Sequence, residues 1–183
     1  IYANNGLGID LYGGGTGDFD GVTLNDNGDV DSGGNDLLNF PIISGAYQSG
    51  STFIIEGWSR PGAIIEVFIT DISEGTATVG DNQFGMSTDY GEGQLYLGTF
   101  IEGSGSDTDN GSSSYLDEDG NTDTTNKYRF VTALAPGSGA ALGKYITSTA
   151  TISNSTSEFS PISVIKGYNV ITNRRITFRV KNK

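Results

Sequence analysis

Short apolar runs separated by polar turn clusters begin at Phe40 and continue through most of the chain. Runs of this kind, bounded by Gly, Asn, Asp and Ser, predict β-strands. No apolar period of 3.6 residues lasts for three turns, so the pattern does not favour helices. The runs predict strands near residues 41–47, 52–58, 63–70, 94–101, 127–134, 144–152 and 158–165. We therefore expect an all-β protein built as a β-sandwich.

The strictest alternation lies near the end of the chain, at residues 175–181. It places Ile176, Phe178 and Val180 on one face of a predicted strand and basic side chains on the other. Three roles are open for this strand: a last sheet strand with a solvated face, a strand that docks on another protein, or an electrostatic contact with an acidic surface. The candidate partner-binding residues are Arg174, Arg175, Arg179 and Lys181.

Two polar stretches, residues 73–93 and 102–126, interrupt the strand pattern. Connections of this length inside a compact domain are usually functional or mobile. Residues 103–114 are rich in Gly, Ser and Asp, which predicts a segment without stable structure in the absence of a ligand.

Composition excludes several kinds of chemistry. The chain has no Cys and no His, so zinc sites of the usual type, disulfides and imidazole-based triads are not expected. A net charge of -12 argues against a nucleic-acid partner. No run of 18 apolar residues occurs, so we expect no membrane insertion.

Charge divides the chain unevenly. Residues 1–163 hold 22 acidic and 4 basic residues, whereas residues 164–183 hold 6 basic and no acidic ones. Together with the strand pattern, this predicts three parts: a Gly/Asp-rich part at 1–39, a β-sandwich at 40–163 and a basic tail at 164–183.

The first part contains seven carboxylates, and no Lys or Arg occurs before Arg60. Short acidic side chains on a Gly-bent chain suit calcium, which takes 6 to 8 oxygen ligands. The alternative is that these residues only form turns through bonds to their own backbone. The candidate metal ligands are Asp18, Asp20, Asn25, Asp26, Asp29, Asp31 and Asn35.

A second acidic group spans residues 117–123 and starts with the alternate spacing of a calcium loop, but it lacks a closing bidentate Glu. A solvated loop is the alternative. Its candidate ligands are Asp117, Asp119, Asn121 and Asp123.

Two carboxylates and several aromatic residues raise the questions of glycoside hydrolysis and of glycan binding. Glu56 and Glu66 fall on predicted strands, but nothing in the sequence pairs them across a cleft, so we expect no enzyme activity. Aromatic side chains could instead stack on a glycan, with Trp58, Tyr90, Tyr96 and Tyr115 as candidates, although Trp58 is also a natural packing residue.

Three parts of the chain resemble a known architecture. Ile1-Tyr-Ala-Asn-Asn-Gly-Leu-Gly-Ile-Asp-Leu11 resembles the closing coil of a right-handed parallel β-helix. Residues 21–41 are similar to the Asp-rich linker that follows such helices in large secreted proteins of Bacteroidota and some other aquatic bacteria. Residues 146–151 and 154–160 resemble the last strands of the immunoglobulin-like domain after that linker.

This resemblance implies an immunoglobulin-like antiparallel β-sandwich, preceded by a remnant β-helix coil and an Asp/Gly-rich linker. It implies an extracellular module on the bacterial cell surface, part of a longer adhesin exported by the type IX route. The tail, however, lacks the Pro-Asn-Pro and Gly-x-Tyr pattern of a common type IX sorting domain. Expected partners are other modules of the same protein, neighbouring copies that could form a filament through the basic strand, or glycans. The resemblance places a calcium site at Asp18, Asp20, Asn25, Asp26, Asp29 and Asp31.

Overall fold

The computed structural model describes residues 1–4, 7–13, 21–70, 89–117 and 120–168. Within these ranges the protein is all-β, as the apolar pattern predicted, and its only helical turn is a 3₁₀ turn at Gly34–Leu37. The strands are β1 (Ile42–Ser49), β2 (Thr52–Ser59), β3 (Ile64–Thr70), β4 (Leu95–Ile101), β5 (Ser112–Leu116), β6 (Thr122–Ala133), β7 (Tyr145–Ile152), β8 (Ser155–Thr156) and β9 (Ser163–Gly167).

The strands form one mixed sheet in the order β4-β3-β7-β9-β1-β2-β6-β5, with β8 paired to β7. The expectation of a wholly antiparallel sheet is corrected at one pair, since β1 and β9 run parallel with Ala46 opposite Ile165. A parallel pair needs a long connection between its strands. Here the connection is most of the chain, because β1 is the first strand and β9 the last one described.

The sheet bends over a single main core. Phe100 on β4 and Phe130 on β6 belong to strands far apart in the sheet order, yet their rings stack with centroids 4.9 Å apart. Fully buried residues from both halves of the sheet, including Ile55, Ile65 and Ile146, belong to the same apolar cluster. This burial is the main driving force that holds the two halves together.

Gly57 marks a place where two strands approach closely. A Cβ at this position would collide with the backbone oxygen of Ile42 and lie 2.9 Å from the hydroxyl of Tyr128. Only glycine lets β1 pass β2 here, directly next to Trp58.

Five of the seven strands predicted before residue 168 are present within two residues of their expected bounds, and the one predicted at 127–134 is the second half of β6, which begins at Thr122. The seventh is corrected: residues 158–162 are not a regular strand, and β9 starts at Ser163. The hydroxyls of Ser157 and Ser160 accept the amide protons of Ala150 and Ser148 on β7, at 2.9 Å each, while their own amides donate to the backbone oxygens of Ala150 and Ser148. Side-chain oxygens thus take the place of the backbone acceptors in this part of the pairing.

The expectation that part of the polar stretch 102–126 lacks stable structure is also corrected, because the described residues of this stretch are ordered. It contains β5 and the first residues of β6, which pair as a hairpin from Ser112–Asn126 to Leu116–Thr122. The predicted strand at 175–181 lies outside the described residues.

The part before β1 packs on the sheet. Val22, Phe40 and Tyr90 form a second apolar cluster, in which the rings of Phe40 and Tyr90 meet edge to face at 5.6 Å. The boundary predicted at residues 39 and 40 therefore falls inside a packed region, and the one at 163 and 164 falls within β9. The described residues 1–4 and 7–13, where a β-helix coil was expected, contain no strand.

Candidate metal centre in the acidic segment

Residues 21–40, the acidic segment, are held against the sheet by a buried asparagine. The Asn25 amide donates to the backbone oxygen of Phe40 and to the hydroxyl of Tyr115, each at 2.9 Å. Its oxygen accepts the Phe40 amide proton at 2.8 Å. Because Asn25 is 4% exposed, these bonds are shielded from water and fix the segment on β5.

An ion pair makes the second attachment. Asp123 on β6 is 1% exposed and accepts hydrogen bonds from Arg60 Nη1 at 3.2 Å and from the Gly28 amide at 3.0 Å. Arg60 Nη2 also donates to the Gly28 oxygen at 3.0 Å. A buried carboxylate is tolerated only when it is paired and hydrogen-bonded, and both conditions hold here.

Three carboxylates converge on the outer side of this attachment. A turn at residues 26–29 brings Asp26, Asp29 and Asp31 together, so that one oxygen from each lies within 4.8 Å of the others. Two oxygens that are each about 2.4 Å from one calcium ion can be at most about 4.8 Å apart. The spacing therefore fits coordination of a single calcium-sized cation.

The electrostatics of the cluster also favour a bound cation. Burial raises the pKa of Asp29, and the charges of Asp26 and Asp123 raise it further, against the opposing effects of the Asn39 hydrogen bond and Arg60. Burial, Asp26 and Asp29 likewise raise the pKa of Asp31. In addition, Asp26 Oδ1 is buried and has no hydrogen-bond donor within the described residues. The cluster thus carries more negative charge than its neighbours offset, and one of its buried oxygens has no donor.

Arg60 supplies part of the missing charge. Its Nε lies 3.7 Å from Asp29 Oδ2, while the stronger contact of the guanidinium is to Asp123. The guanidinium contacts Asp29 and Asp123, and neither Asp26 nor Asp31, both within the described ranges, has an ion pair with it. A divalent cation would neutralise most of the remaining charge.

The structure gathers only some of the predicted ligands. Asn25 and Asp123 are used in bonds within the protein, which corrects their expected role as ligands. Asn35 is exposed on the 3₁₀ turn and is not part of the cluster. Asp18 and Asp20 lie outside the described residues.

The second predicted site is a hairpin turn between β5 and β6. Asp117 Oδ1 accepts the Asn121 amide proton at 2.7 Å, and the Asn121 side chain donates to both carboxylate oxygens. This is the turn-forming alternative considered for the sequence. Asp119 lies outside the described residues.

The aromatic candidates differ in exposure. Tyr90 and Tyr115 are 3% and 7% exposed, so their rings belong to the packed interior, which corrects their proposed role as surface platforms. Trp58 is half-buried and Tyr96 is exposed on β4. Glu56 and Glu66 lie on β2 and β3, which are not neighbours in the sheet, and Glu56 is paired with Arg129 at 3.2 Å.

Sequence reasoning did not identify Arg60 and Asn39 as parts of this region. The Asn39 side chain accepts the Asp26 amide proton at 3.0 Å and donates to the backbone oxygen of Asp26 at 2.8 Å. The signal for Arg60 was its position as the first cation of the chain, after eight carboxylates. The predicted partner residues Arg174, Arg175, Arg179 and Lys181 lie outside the described residues.

No helix among the described residues is long and apolar enough to cross a membrane. No protein-family model matches the chain, and no solved structure matches it significantly. Functional conclusions therefore depend on the geometry of the acidic segment and of the surfaces around it.

Proposed function

We propose that this chain is a non-enzymatic structural module of an extracellular bacterial surface protein, in which calcium holds the acidic segment on the β-sheet. The observation that carries the proposal is the convergence of Asp26, Asp29 and Asp31 within 4.8 Å. The buried Asp26 Oδ1 without a donor supports it, because a cation would supply the missing partner.

Calcium suits this cluster better than the other common protein metals. The side chains offer only oxygen, and the chain has neither Cys nor His to favour zinc. Calcium accepts irregular arrangements of carboxylates, backbone carbonyls and water, whereas magnesium demands a near-ideal octahedron. Sites in extracellular modules bind calcium with Kd of roughly 10⁻⁴ to 10⁻³ M.

A structural role follows from where the cluster lies. The acidic segment precedes β1 and is fastened to β5 and β6 through Tyr115 and Asp123. A cation at the cluster would offset the repulsion that opposes this docking, and so would stiffen the junction between β1 and whatever comes before it. We further propose that the bent sheet is an immunoglobulin-like sandwich serving as an adhesive or spacer module at the cell surface.

Thermal unfolding tests the proposal. At a calcium concentration about 100 times the Kd, binding adds about 2.7 kcal/mol to the free energy of unfolding. For a domain of this size, that raises Tm by about 5 to 10 °C above the value in EDTA. Magnesium at the same concentration should raise Tm less. Equal Tm values in calcium and in EDTA would overturn the cation part of the proposal.

A further inference from the structure

A groove crosses the outer face of the sheet at Trp58. It consists of two adjoining depressions of about 210 and 270 Å³, and both are lined by Trp58 and Ser44. The first depression has mainly apolar walls, among them Ile43, Leu116 and Pro161. The second is lined by Glu56, Asp109 and Lys127, together with Tyr128. Trp58 is thus shared by a mainly apolar half of the groove, where Asp117 is the one charged lining residue, and a charged half with three charged lining residues.

Trp58 is held in a fixed orientation. Its indole N–H donates to Ser113 Oγ at 2.8 Å, and its ring packs on Tyr115 at a centroid distance of 5.6 Å. Tyr115 is in turn fixed by the Asn25 amide. A binding aromatic that is already immobilised loses little conformational entropy when a ligand stacks on it.

The backbone of β1 is irregular at the same place. The register between β1 and β2 shifts between Ile43 and Gly45, which makes Ser44 the bulged residue. Ser44 is exposed, and its hydroxyl donates to the backbone oxygen of Glu56 at 3.1 Å. Bulges often occur next to binding sites because they redirect a side chain, and this one leaves a short side chain where the two depressions meet.

The charged half is balanced by ion pairs. Lys127 lies 2.7 Å from Asp109, and Arg129 lies 3.2 Å from Glu56. A free anion would be repelled by the carboxylates, and a free cation would be repelled by Lys127 and Arg129. A neutral ligand with many hydroxyl groups fits this wall, because each hydroxyl can donate to a carboxylate and accept from an ammonium or guanidinium group.

We propose that the Trp58 groove binds a neutral saccharide, with the apolar face of one sugar ring on the indole and its hydroxyl groups toward Glu56, Asp109 and Lys127. The apolar half would hold the neighbouring ring along Leu116. The site is distinct from the Asp26, Asp29 and Asp31 cluster. None of those three carboxylates lines the groove, and Asn25 and Asp123 hold the acidic segment next to Tyr115 without a cation, so we expect saccharide binding in calcium and in EDTA alike.

The chain offers a direct probe, since Trp58 is its only tryptophan. Hexasaccharides of neutral type (cello-, xylo-, manno-, chito- and laminari-oligosaccharides) are titrated into the full chain while Trp58 emission is recorded in calcium and in EDTA. We expect a saturable change in emission with at least one neutral sugar in both buffers, and none with anionic oligogalacturonate. No response to any neutral sugar at millimolar concentration, or a stronger response to oligogalacturonate, would overturn the proposal.

Variants locate the site. Trp58→Ala should weaken binding by at least about tenfold in affinity electrophoresis, since the stacking surface is lost. The control Tyr168→Ala removes an exposed aromatic at the other end of β1, next to Gln48, and should leave affinity unchanged. If Trp58→Ala does not fold, Ser44→Gln tests the same site by filling the junction of the two depressions without touching the core. Full affinity in folded Trp58→Ala or in Ser44→Gln would contradict the assignment.

Discussion

At the scale of single residues, the acidic cluster combines three carboxylates that disfavour one another with geometry that suits a cation. Asp31 is the member best suited to a test, because its side chain reaches solvent, while partial desolvation and the charges of Asp26 and Asp29 raise its pKa. Replacing it by an isosteric neutral residue changes charge and ligand strength without opening a cavity.

We expect Asp31→Asn to leave Tm in EDTA equal to or slightly above that of the wild type, because a like-charge repulsion is removed. The increase in Tm caused by calcium should fall to less than half of its wild-type value. Glu66→Gln removes the same charge from β3 and should keep the full calcium response. A full calcium response in Asp31→Asn would show that this carboxylate is not a ligand.

Asp123 tests the buried attachment independently of calcium. Asp123→Ala leaves the Arg60 guanidinium and the Gly28 amide without their partner, so the free energy of unfolding should fall by about 3 kcal/mol. Asp109→Ala is the matched control. Its ion pair with Lys127 is well exposed, at 36% and 40%, and should contribute less than about 1 kcal/mol. Urea unfolding measures both, and equal losses would contradict the importance assigned to burial.

At the scale of elements, the strands that the sequence predicted are those whose apolar residues face the main core. Ile65, Val67 and Ile69 on β3 are buried, and β3 reads in the sequence as a nearly continuous apolar run interrupted only by Glu66. The first half of β6 was missed because its buried residues are polar. Asp123 is paired with Arg60, and the Thr125 hydroxyl donates to the backbone oxygen of Ser59 at 2.9 Å. These bonds allow polar residues to be buried where the sequence shows no apolar pattern.

The sequence predicted where in the chain the acidic cluster lies, but it predicted the set of converging carboxylates only in part. Asp26, Asp29 and Asp31 converge as the Gly-bent acidic pattern suggested. Asn25 and Asp123 do not join them, because each forms hydrogen bonds with partners distant in sequence, and spacing along the chain does not show such partners.

Docking of the acidic segment on β5 gives an element-level prediction. Asn25→Ala removes three hydrogen bonds and leaves the Phe40 amide and oxygen buried without partners, which should lower the free energy of unfolding by about 2 to 3 kcal/mol. Asn27→Ala is a control two residues away. Asn27 is exposed and accepts one bond from the Thr124 amide, so we expect a loss below about 0.5 kcal/mol. Similar losses in both variants would mean that Asn25 does not fasten the segment.

At the scale of the whole molecule, Glu158 connects the chain before the acidic segment to the sheet. It is 2% exposed, and its oxygens accept the Leu11 and Thr23 amide protons at 2.8 and 2.9 Å. Burial raises its pKa from 4.5 to about 7, with a smaller contribution from Asp10, although the two amide bonds lower it.

This shift makes stability depend on pH. Between pH 4.5 and about 7 the folded protein keeps a proton on Glu158 that the unfolded chain has released. The free energy of unfolding therefore decreases as pH rises through this window, by about 3 kcal/mol in total. The raised pKa values of Asp29 and Asp31 act with the same sign.

Urea unfolding in EDTA from pH 4.5 to 8 measures this dependence. In Glu158→Gln the side chain is neutral throughout, so the decrease should be much smaller, even though the variant is less stable at pH 4.5 because one amide proton meets the Gln NH₂ group. Glu66→Gln should retain the wild-type slope. A slope that Glu158→Gln leaves unchanged would show that other groups cause it.

Hydrogen–deuterium exchange with and without calcium tests the central claim, that a cation holds the acidic segment on the sheet. The Val30 amide donates to Asp26 Oδ2 at 3.2 Å and the Asn39 amide to Asp29 Oδ1 at 2.8 Å, so both report on the cluster. We predict that calcium slows exchange at Val30 and Asn39 relative to EDTA and leaves the core amides of β3 and β7 unchanged. Equal exchange at Val30 and Asn39 in the two buffers would contradict the account.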